Sequence, residues 1–408
     1  MVAASQTLHD AIDEILPGLV ADRRHLHEHP ELGMQEYETA RFVAGRLQQL
    51  GLEDIRTGIA NTGVTALIRG TGTGPNADRT LMLRADMDAL PITEENEVEY
   101  RSQTPGVMHA CGHDAHTSML LATARLLMER RAEFAGTVKV LFQPAEEAQP
   151  GGAKPMIEAG VLEDPRVDAS FGLHMAQDLE LGRITARPGA SSANSDRFYI
   201  TVQGKGGHGA APHTTIDPIV VASQIVLAIQ TLVSRETDPL GSAVVTVGAF
   251  NAGSAPNVIP DTAELVGSMR TFDTDFRDHL AERLDTLVTK IATAMGATGT
   301  LRFVRGYPSV VNDEGMFEIV RAAASEVVGP DNFVIKPASM GGEDMSYFLQ
   351  QVPGCFFHVG SKNAGRGLVW GHHHPKFDID EASLGIGVEV MVTSVLRYFA
   401  TENPPVRA

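Results

Sequence analysis

The sequence has few cysteines and a deficit of basic residues, and these shortages exclude several classes of protein. Two cysteines among 408 residues, Cys111 and Cys355, are too few for the disulfide framework of a small secreted protein. Lys and Arg number 33 against 51 Asp and Glu, which gives a formal net charge of −18. A field of that sign repels polyanions, so nucleic acid is not an expected partner.

Long apolar runs are also scarce. A membrane-spanning helix needs about 20 apolar residues, and the most apolar run, 219–233, is interrupted by polar residues such as Ser223 and Gln230. The beginning, MVAASQTLHDAIDE, is acidic and lacks the basic region and apolar block of a secretory signal. We therefore expect a cytoplasmic protein with no membrane partner.

The overall composition is that of a folded protein with more than one domain. Hydrophobic residues make up 43% and charged residues 21% of the chain, close to ordinary globular usage. At roughly 100–200 residues per domain, this length favours two or three domains.

The first part of the chain alternates helical and strand-like segments. Apolar residues recur at helical spacing from Leu8 to Leu19, and a long helical pattern covers 117–134. Short apolar or β-rich segments predict strands at 64–69, 80–86, 137–142 and 167–174. This alternation is typical of a doubly wound, largely parallel sheet.

A different pattern follows from about residue 189. Strand and helix signals there follow the order β-α-β-β-α-β, ending with a strand at 298–304, which is the order of a ferredoxin-like domain. The first pattern then resumes with a helix, a strand and a final helix. We predict an α/β protein whose main domain is discontinuous, 1–188 and 305–408, with a ferredoxin-like α+β domain inserted at 189–304.

Side chains that bind divalent cations lie where predicted strands end or helices begin. They are Asp86, Asp88, Cys111, His113, Glu146, Glu147, His174 and the cluster His372, His373 and His374. Ligands of open α/β sheets bind beyond the carboxyl ends of the strands, so these residues can converge on one crevice. Thiolate, imidazole and carboxylate bind zinc and related ions, and their number exceeds the needs of one tetrahedral ion. We expect two ions.

The adjacent pair Glu146 and Glu147 suggests a division of labour. One carboxylate binds metal and the other exchanges a proton with a metal-bound water, and the spacing alone does not decide which. Two alternatives remain: a cysteine hydrolase that pairs Cys111 with His113, and a metal-binding protein without catalysis. The first leaves the glutamate pair without a role.

Several other residues near these motifs are interpreted as structural. His25, His27 and His29 form a dense group that packs or supports the site, and Cys355 is a buried small residue. Asp114 and His116 are expected to orient neighbouring ligands; Asp114 has helix capping as an equal alternative.

A series of motifs runs in a fixed order along nearly the whole chain. The motifs are RRHLHEHPELGMQEYETA, ADMDALP, MHACGHDAHT, PAEEAQPGGA, GGHGAAPHTTIDP, GSAPNVIPD, GSMRTF, SMGGEDMSYF and HHHPKF. In this order they resemble the metal-dependent aminoacylase and carboxypeptidase family. The resemblance is to its branch of N-acyl-amino-acid amidohydrolases, which includes hippurate and auxin-conjugate hydrolases. The resemblance implies that the main domain is a zinc-exopeptidase-like catalytic domain.

The resemblance also implies a role for individual residues of the catalytic domain. The implied metal ligands are Cys111, His113, Glu147, His174 and His373, the last selected over His372 and His374 by the pattern His-any-Pro-any-Phe. Glu146 matches the general base and Asp88 an aspartate that supports the site. Asp86 occupies a position where relatives outside this branch carry a histidine ligand, and its role stays open.

In the inserted domain the resemblance implies contacts with the substrate and with a second subunit. His208 resembles a histidine that reaches a neighbouring subunit's active site and steadies the oxyanion. Asn257 and Arg270 resemble residues that hold the substrate carboxylate, and Gly341 matches a further substrate-binding position. The implied assembly is a homodimer or higher homo-oligomer formed through the inserted domain.

The sequence therefore predicts a metal-dependent amidohydrolase that cleaves N-acyl amino acids to a carboxylic acid and a free amino acid. Glu146 is the predicted general base on a metal-bound water, and the cofactors are two manganese or zinc ions, with cobalt or nickel as alternatives. The alternative functions are a metallo-exopeptidase, either carboxypeptidase or dipeptidase, and a cysteine hydrolase using Cys111. The acyl group, the amino acid and the physiological metal are not determined by the sequence.

Overall fold

The computed structural model describes residues 7–408. Residues 1–6, which begin both the predicted catalytic domain and the segment tested for a secretory signal, lie outside the described residues. The α-helices are α1 (Leu8–Glu28), α2 (Tyr37–Gln49), α3 (His113–Glu129), α4 (Ala153–Glu158), α5 (Pro218–Glu236), α6 (Thr274–Ala294), α7 (Glu314–Val328), α8 (Met345–Leu349) and α9 (Ala382–Ala400). The strands are β1 (Glu53–Ile59), β2 (Gly63–Arg69), β3 (Thr80–Asp86), β4 (Thr137–Gln143), β5 (Ala169–Glu180), β6 (Ile184–Thr185), β7 (Gly189–Ser192), β8 (Asp196–Gln203), β9 (Gly207–His208), β10 (Ala243–Ala252), β11 (Val258–Ile259), β12 (Thr262–Thr271), β13 (Thr298–Val304), β14 (Val310–Asn312), β15 (Phe333–Val334) and β16 (Gly354–Lys362).

The chain divides into two compact units. The first unit comprises the chain up to Ser191 with Val311–Pro337 and Asp344–Ala408, and the second comprises Ser192–Val310 with Ala338–Glu343. The predicted catalytic segment began at residue 305, but 305–310 belong to the second unit. Backbone hydrogen bonds explain this, because Ser195 N donates to Tyr307 O at 2.9 Å.

The first unit is built around a mixed sheet with the order β1-β2-β4-β3-β5-β16-β6-β15. Its central strands β4, β3, β5 and β16 are parallel, whereas β2 pairs with β4 and β6 with β16 in the antiparallel sense. Every residue of β3 is buried, as expected for a parallel strand covered on both faces. Helices α1, α3 and α9 pack on one another and contribute apolar side chains to the same core.

This arrangement brings the carboxyl ends of the central strands to one edge of the sheet. Helix α3 begins there at His113, four residues before the predicted start, and ends at Glu129 rather than 134. The residue before it, Gly112, has φ +90°, and a Cβ at this position would lie 3.1 Å from Met175 Cγ. Glycine is therefore required where the chain turns into the helix.

The second unit has the predicted ferredoxin-like arrangement. Its four-stranded sheet has the order β10-β12-β8-β13, with all neighbours antiparallel. Asp217 caps the start of α5, where its side chain accepts a hydrogen bond from Ile219 N, and Asp273 caps α6 by accepting one from Phe276 N. Both aspartates satisfy backbone donors that the first turn leaves free.

Two helices are more apolar than the interrupted run at 219–233 suggested. Helices α5 and α9 are both long and apolar enough, by length and composition, to cross a membrane. Core helices of soluble proteins meet the same criterion, and α9 is 72% buried over its apolar window. Helix α5 buries residues such as Ile225 and Ile229 in the core of the second unit.

Candidate metal centre

The ligands predicted in the first unit lie together at the carboxyl edge of the sheet. Three groups of donor atoms, each within 4.8 Å of one another, are formed by Cys111, His113 and His174, by Cys111, Glu147 and His373, and by His113, Glu146 and Glu147. The groups overlap in Cys111, His113 and Glu147, so they form one continuous cluster. A cluster with this number of donors can hold two adjacent cations, with the thiolate available to both.

Asp88 organises the part of the cluster that follows β4. Its carboxylate accepts the backbone N–H groups of Glu146 at 2.9 Å and Glu147 at 3.0 Å. His113 Nδ1 lies 2.9 Å from Asp88 O and 3.2 Å from Asp88 Oδ1. Nδ1–H therefore donates to Asp88, so Nε2 is the nitrogen of His113 that remains for the cluster.

The unused nitrogen of His113 tests whether a metal fits here. Within residues 7–408, His113 Nε2 is buried and has no hydrogen-bond partner. An unpaired buried polar atom is costly, and a cation beside His113 would satisfy it. The donor set agrees, because thiolate and imidazole are typical ligands of zinc and related ions.

The charges of the cluster also favour a cation. Burial raises the pKa of the Cys111 thiol well above its ordinary value, and Glu147, Glu146 and Asp86 raise it further. Burial lowers the pKa of His113, but nearby carboxylates, first among them Asp86, outweigh burial and raise it to about 10. Without metal the site compensates its negative charge with protons, and divalent cations can replace those protons.

Two non-glycine residues beside the cluster adopt left-handed backbone conformations. Ala145, directly before Glu146, has φ +53°, and His373 has φ +63°. Such conformations cost roughly 1–2 kcal/mol each in L-residues and are found at functional sites. His373 Nε2 lies 2.9 Å from Glu147 Oε1, so the strained backbone brings a histidine against a predicted ligand.

Glu36 supports the same turn, and sequence reasoning missed it. Its buried carboxylate accepts Ala145 N at 2.8 Å, Met34 N at 3.0 Å and Thr62 Oγ1 at 2.6 Å. The residue lies in the motif that begins RRHLHEHPELG, which the resemblance used without assigning it a role. This motif was the only sequence feature that pointed to Glu36, because its partners Thr62 and Ala145 are distant in sequence.

The remaining predicted residues lie in the second unit. His208 and Asn257 are exposed neighbours, because β9 pairs with β11 and Gly209 N donates to Asn257 O at 2.8 Å. Arg270 lies on β12, where burial lowers its pKa. No carboxylate in the described part of the chain forms an ion pair with its guanidinium group.

A glycine-rich loop contacts Arg270. A Cβ built on Gly342 would lie 3.4 Å from Arg270 Nη1, and the neighbouring Gly341 is exposed. Small residues thus leave one side of an unpaired guanidinium accessible, and such a group binds carboxylates in a bidentate manner.

Comparison with known proteins places the chain in a family. The sequence model of Peptidase family M20/M25/M40 matches residues 82–397 of this chain. The chain belongs to this family. The predicted family, the fold class and the assignment as a hydrolase of amide bonds are confirmed.

Individual members of the family are similar over almost their whole length. IAA-amino acid hydrolase ILR1-like 4 of Arabidopsis thaliana is 42% identical over 93% of this chain and 85% of its own. Thermostable carboxypeptidase 2 of Saccharolobus solfataricus is 40% identical over 94% of this chain and 95% of its own. The crystal structure of Bacillus subtilis YxeP, described as a dinuclear metal binding peptidase from the M20 family, has a TM-score of 0.82 and 36% identity, covering 94% of this chain and 98% of that one.

Proposed function

We propose that this M20 family hydrolase cleaves N-acyl amino acids to a carboxylic acid and a free amino acid. The observation that carries the proposal is the single cluster of thiolate, imidazole and carboxylate donors in the first unit. The similarity to an IAA-amino acid hydrolase supports the substrate class, and the similarity to a dinuclear metal binding peptidase supports two ions.

The ligands in this proposal are the five residues implied by the resemblance. They are Cys111, His113, Glu147, His174 and His373. Manganese or zinc is the proposed ion, with cobalt or nickel as alternatives. Bound there, divalent ions polarise the scissile carbonyl and lower the pKa of a water molecule towards neutrality.

Glu146 is the proposed general base. Its side chain is buried beside His113 and Glu147, and its backbone is held by Asp88. Glu146 accepts a proton from the attacking water and returns it to the departing amine. Asp88 positions both Glu146 and His113, so its proposed role is support of the site.

The second unit supplies the proposed substrate contacts. Arg270 binds the free carboxylate of the amino acid, together with Asn257 and Gly341, and the unpaired guanidinium group supports this assignment. His208 steadies the oxyanion in a neighbouring subunit, so the proposed assembly is a homodimer or higher homo-oligomer formed through residues 189–304. The proposed location is the cytoplasm.

A second candidate function is that of a carboxypeptidase or dipeptidase. The similarity to Thermostable carboxypeptidase 2 favours it, and both reactions cleave an amide whose amine belongs to an amino acid with a free carboxylate. A panel of N-acetyl, N-benzoyl and N-indolylacetyl amino acids and dipeptides, scored for released amine, separates the two. Turnover restricted to dipeptides would favour the peptidase.

The role of Glu146 is tested against its neighbour. Glu146→Gln should retain both metal equivalents and lose about 10²–10⁴-fold in kcat, because proton transfer contributes that range. The matched variant Glu147→Gln should lose metal. If Glu146→Gln keeps most of its activity, the assignment is wrong.

Treatment of the unmodified enzyme with a chelator tests the cysteine hydrolase alternative. A metal-dependent enzyme loses activity in chelator and regains it when the ion is restored. An acyl-enzyme trapped on Cys111 and detected by mass spectrometry would instead support the cysteine nucleophile.

A further inference from the structure

A buried chain of hydrogen bonds links the end of β3 to the first turn of α3. Arg84 Nη1 donates to Asp86 Oδ2 at 2.7 Å, and His116 Nδ1 lies 2.6 Å from Asp86 Oδ1. All three side chains are at most 1% exposed. Asp86 is therefore enclosed by one guanidinium group and two imidazoles, because His113 Nε2 also lies 3.7 Å from Asp86 Oδ2.

The partner of His116 Nε2 determines which nitrogen of this ring carries the proton. His116 Nε2 accepts the backbone N–H of Met175 at 2.9 Å. Because a backbone N–H can only donate, Nε2 carries the lone pair and Nδ1 carries the proton. The proton of His116 is thus donated to Asp86.

The chain continues into a proposed metal ligand. Met175 O accepts from His174 Nδ1 at 2.7 Å, so His174 carries its proton on Nδ1. His174 Nε2 then presents a lone pair 3.5 Å from Cys111 Sγ. His116 thus holds the backbone N–H of Met175, and the carbonyl of the same residue orients the ring of His174 towards the cluster.

A competing interpretation makes Asp86 itself a ligand. Donor atoms of Asp86, His113 and His116 also lie within 4.8 Å of one another. However, both nitrogens of His116 already have the partners described above, so this histidine has no atom left for a cation. Each oxygen of Asp86 accepts one hydrogen bond, from Arg84 or from His116, which directs the carboxylate towards those two side chains. Arg84, which holds Asp86, is fixed in turn by Gln143 Oε1 at 2.8 Å and Asp344 Oδ1 at 2.9 Å.

We infer that Asp86 and His116 are positioning residues that fix the proton and ring orientation of His174, and that neither binds metal. The inference rests on the proposed function, because it assumes that His174 is a ligand. It assigns Asp86 a different task from the histidine ligand that the resemblance places at this position in other branches. Residues that orient metal ligands typically change metal affinity or activity 10–100-fold when replaced.

The test is a titration of metal-free protein with Co²⁺, followed by the visible absorption of Co²⁺ and by elemental analysis. Asp86→Asn and His116→Phe should each bind two equivalents, with affinity at one equivalent reduced about 10–100-fold and a shifted d–d spectrum. His116→Gln should recover part of the affinity, because its amide oxygen can accept the Met175 N–H. The double variant should be no weaker than the weaker single variant, since both changes break one chain.

Thr117→Val is the matched control. Thr117 Oγ1 donates to Asp86 O at 2.8 Å, so this variant removes a hydrogen bond from the same residue without touching the chain. It should titrate like the unmodified protein. Should one variant fail to fold, the other still tests the inference.

Three results would overturn the inference. A single bound equivalent of Co²⁺ in Asp86→Asn would show that Asp86 is a ligand. Unchanged titration of both Asp86→Asn and His116→Phe would show that neither residue positions His174. Additive losses of Co²⁺ affinity in the double variant would show that the two residues act independently. Failure of the proposed function is distinguishable, because the unmodified protein would then bind no Co²⁺ at this cluster or would bind it without cleaving any N-acyl amino acid, whatever the two variants do.

Discussion

Replacing Arg23 by methionine tests whether buried ion pairs stabilise the first unit. The Arg23 side chain is 0% exposed, and its guanidinium donates to Asp114 and to Asp378, each at 2.8 Å. Methionine preserves much of the volume but removes this cation from both carboxylates, and Asp114 then keeps His27, whose Nδ1 lies 2.7 Å from Asp114 Oδ2. Removing one partner of a buried pair typically costs about 3–5 kcal/mol, because a buried charge remains uncompensated.

The neighbouring residue provides the control. Arg24 also forms an ion pair, with Glu381 at 2.6 Å, but its side chain is 41% exposed. Pairs exposed to solvent contribute about 0–1 kcal/mol. Arg24→Met should therefore change stability far less than Arg23→Met, although the two residues are adjacent on α1.

The assay is urea denaturation of the metal-free protein, followed by tryptophan fluorescence. The only tryptophan, Trp370, lies in the first unit, so the signal follows that unit. With a slope of about 3 kcal/mol per M, the expected loss moves the midpoint by roughly 1–1.7 M for Arg23→Met. A shift no larger than that of Arg24→Met would refute the reasoning that burial makes this pair decisive.

Three further predictions concern pH, substrate and metal. Burial lowers the pKa of His27, but Asp114 and Glu94 outweigh burial and raise it to about 9. His27 therefore contributes roughly 3 kcal/mol to the free energy of unfolding, a contribution that is complete below pH about 6.5 and is lost as pH rises towards 9. Urea denaturation measured across this pH range should lose the dependence in His27→Gln. Arg270→Ala should raise KM about 10–100-fold for substrates with a free carboxylate, as expected for a charge-assisted hydrogen bond, and an equal rise for amidated substrates would exclude that role. Chelation should lower the stability reported by Trp370 by up to about 4 kcal/mol at ion concentrations near 1,000 times Kd, and an unchanged melt would contradict a cation site in the first unit.

The sequence was sufficient for the features that local patterns encode. The ferredoxin-like order of the second unit follows from alternating strands and from the Asp217 and Pro218 pair that begins α5. The convergence of the predicted ligands followed from strand ends, because parallel strands end at one edge.

Features that depend on distant partners could not be predicted. Arg23 and Arg84 are completely buried, which no local pattern indicates, because Arg23 meets Asp114 91 positions away and Arg84 meets Asp344 260 positions away. The early start of α3 was missed for a different reason. No side chain caps it, and Gly112 begins it from a left-handed conformation instead.

The order of the cluster's donors along the chain has a consequence for biosynthesis. Cys111, His113, Glu147 and His174 precede the second unit, whereas His373 follows it. At a translation rate of about 5–20 residues per second, the roughly 200 residues between His174 and His373 delay the last donor by about 10–40 s. With His373 as the fifth ligand proposed above, the cation site stays incomplete until the last part of the first unit is synthesised, and a premature stop anywhere before His373 yields a chain that lacks this ligand.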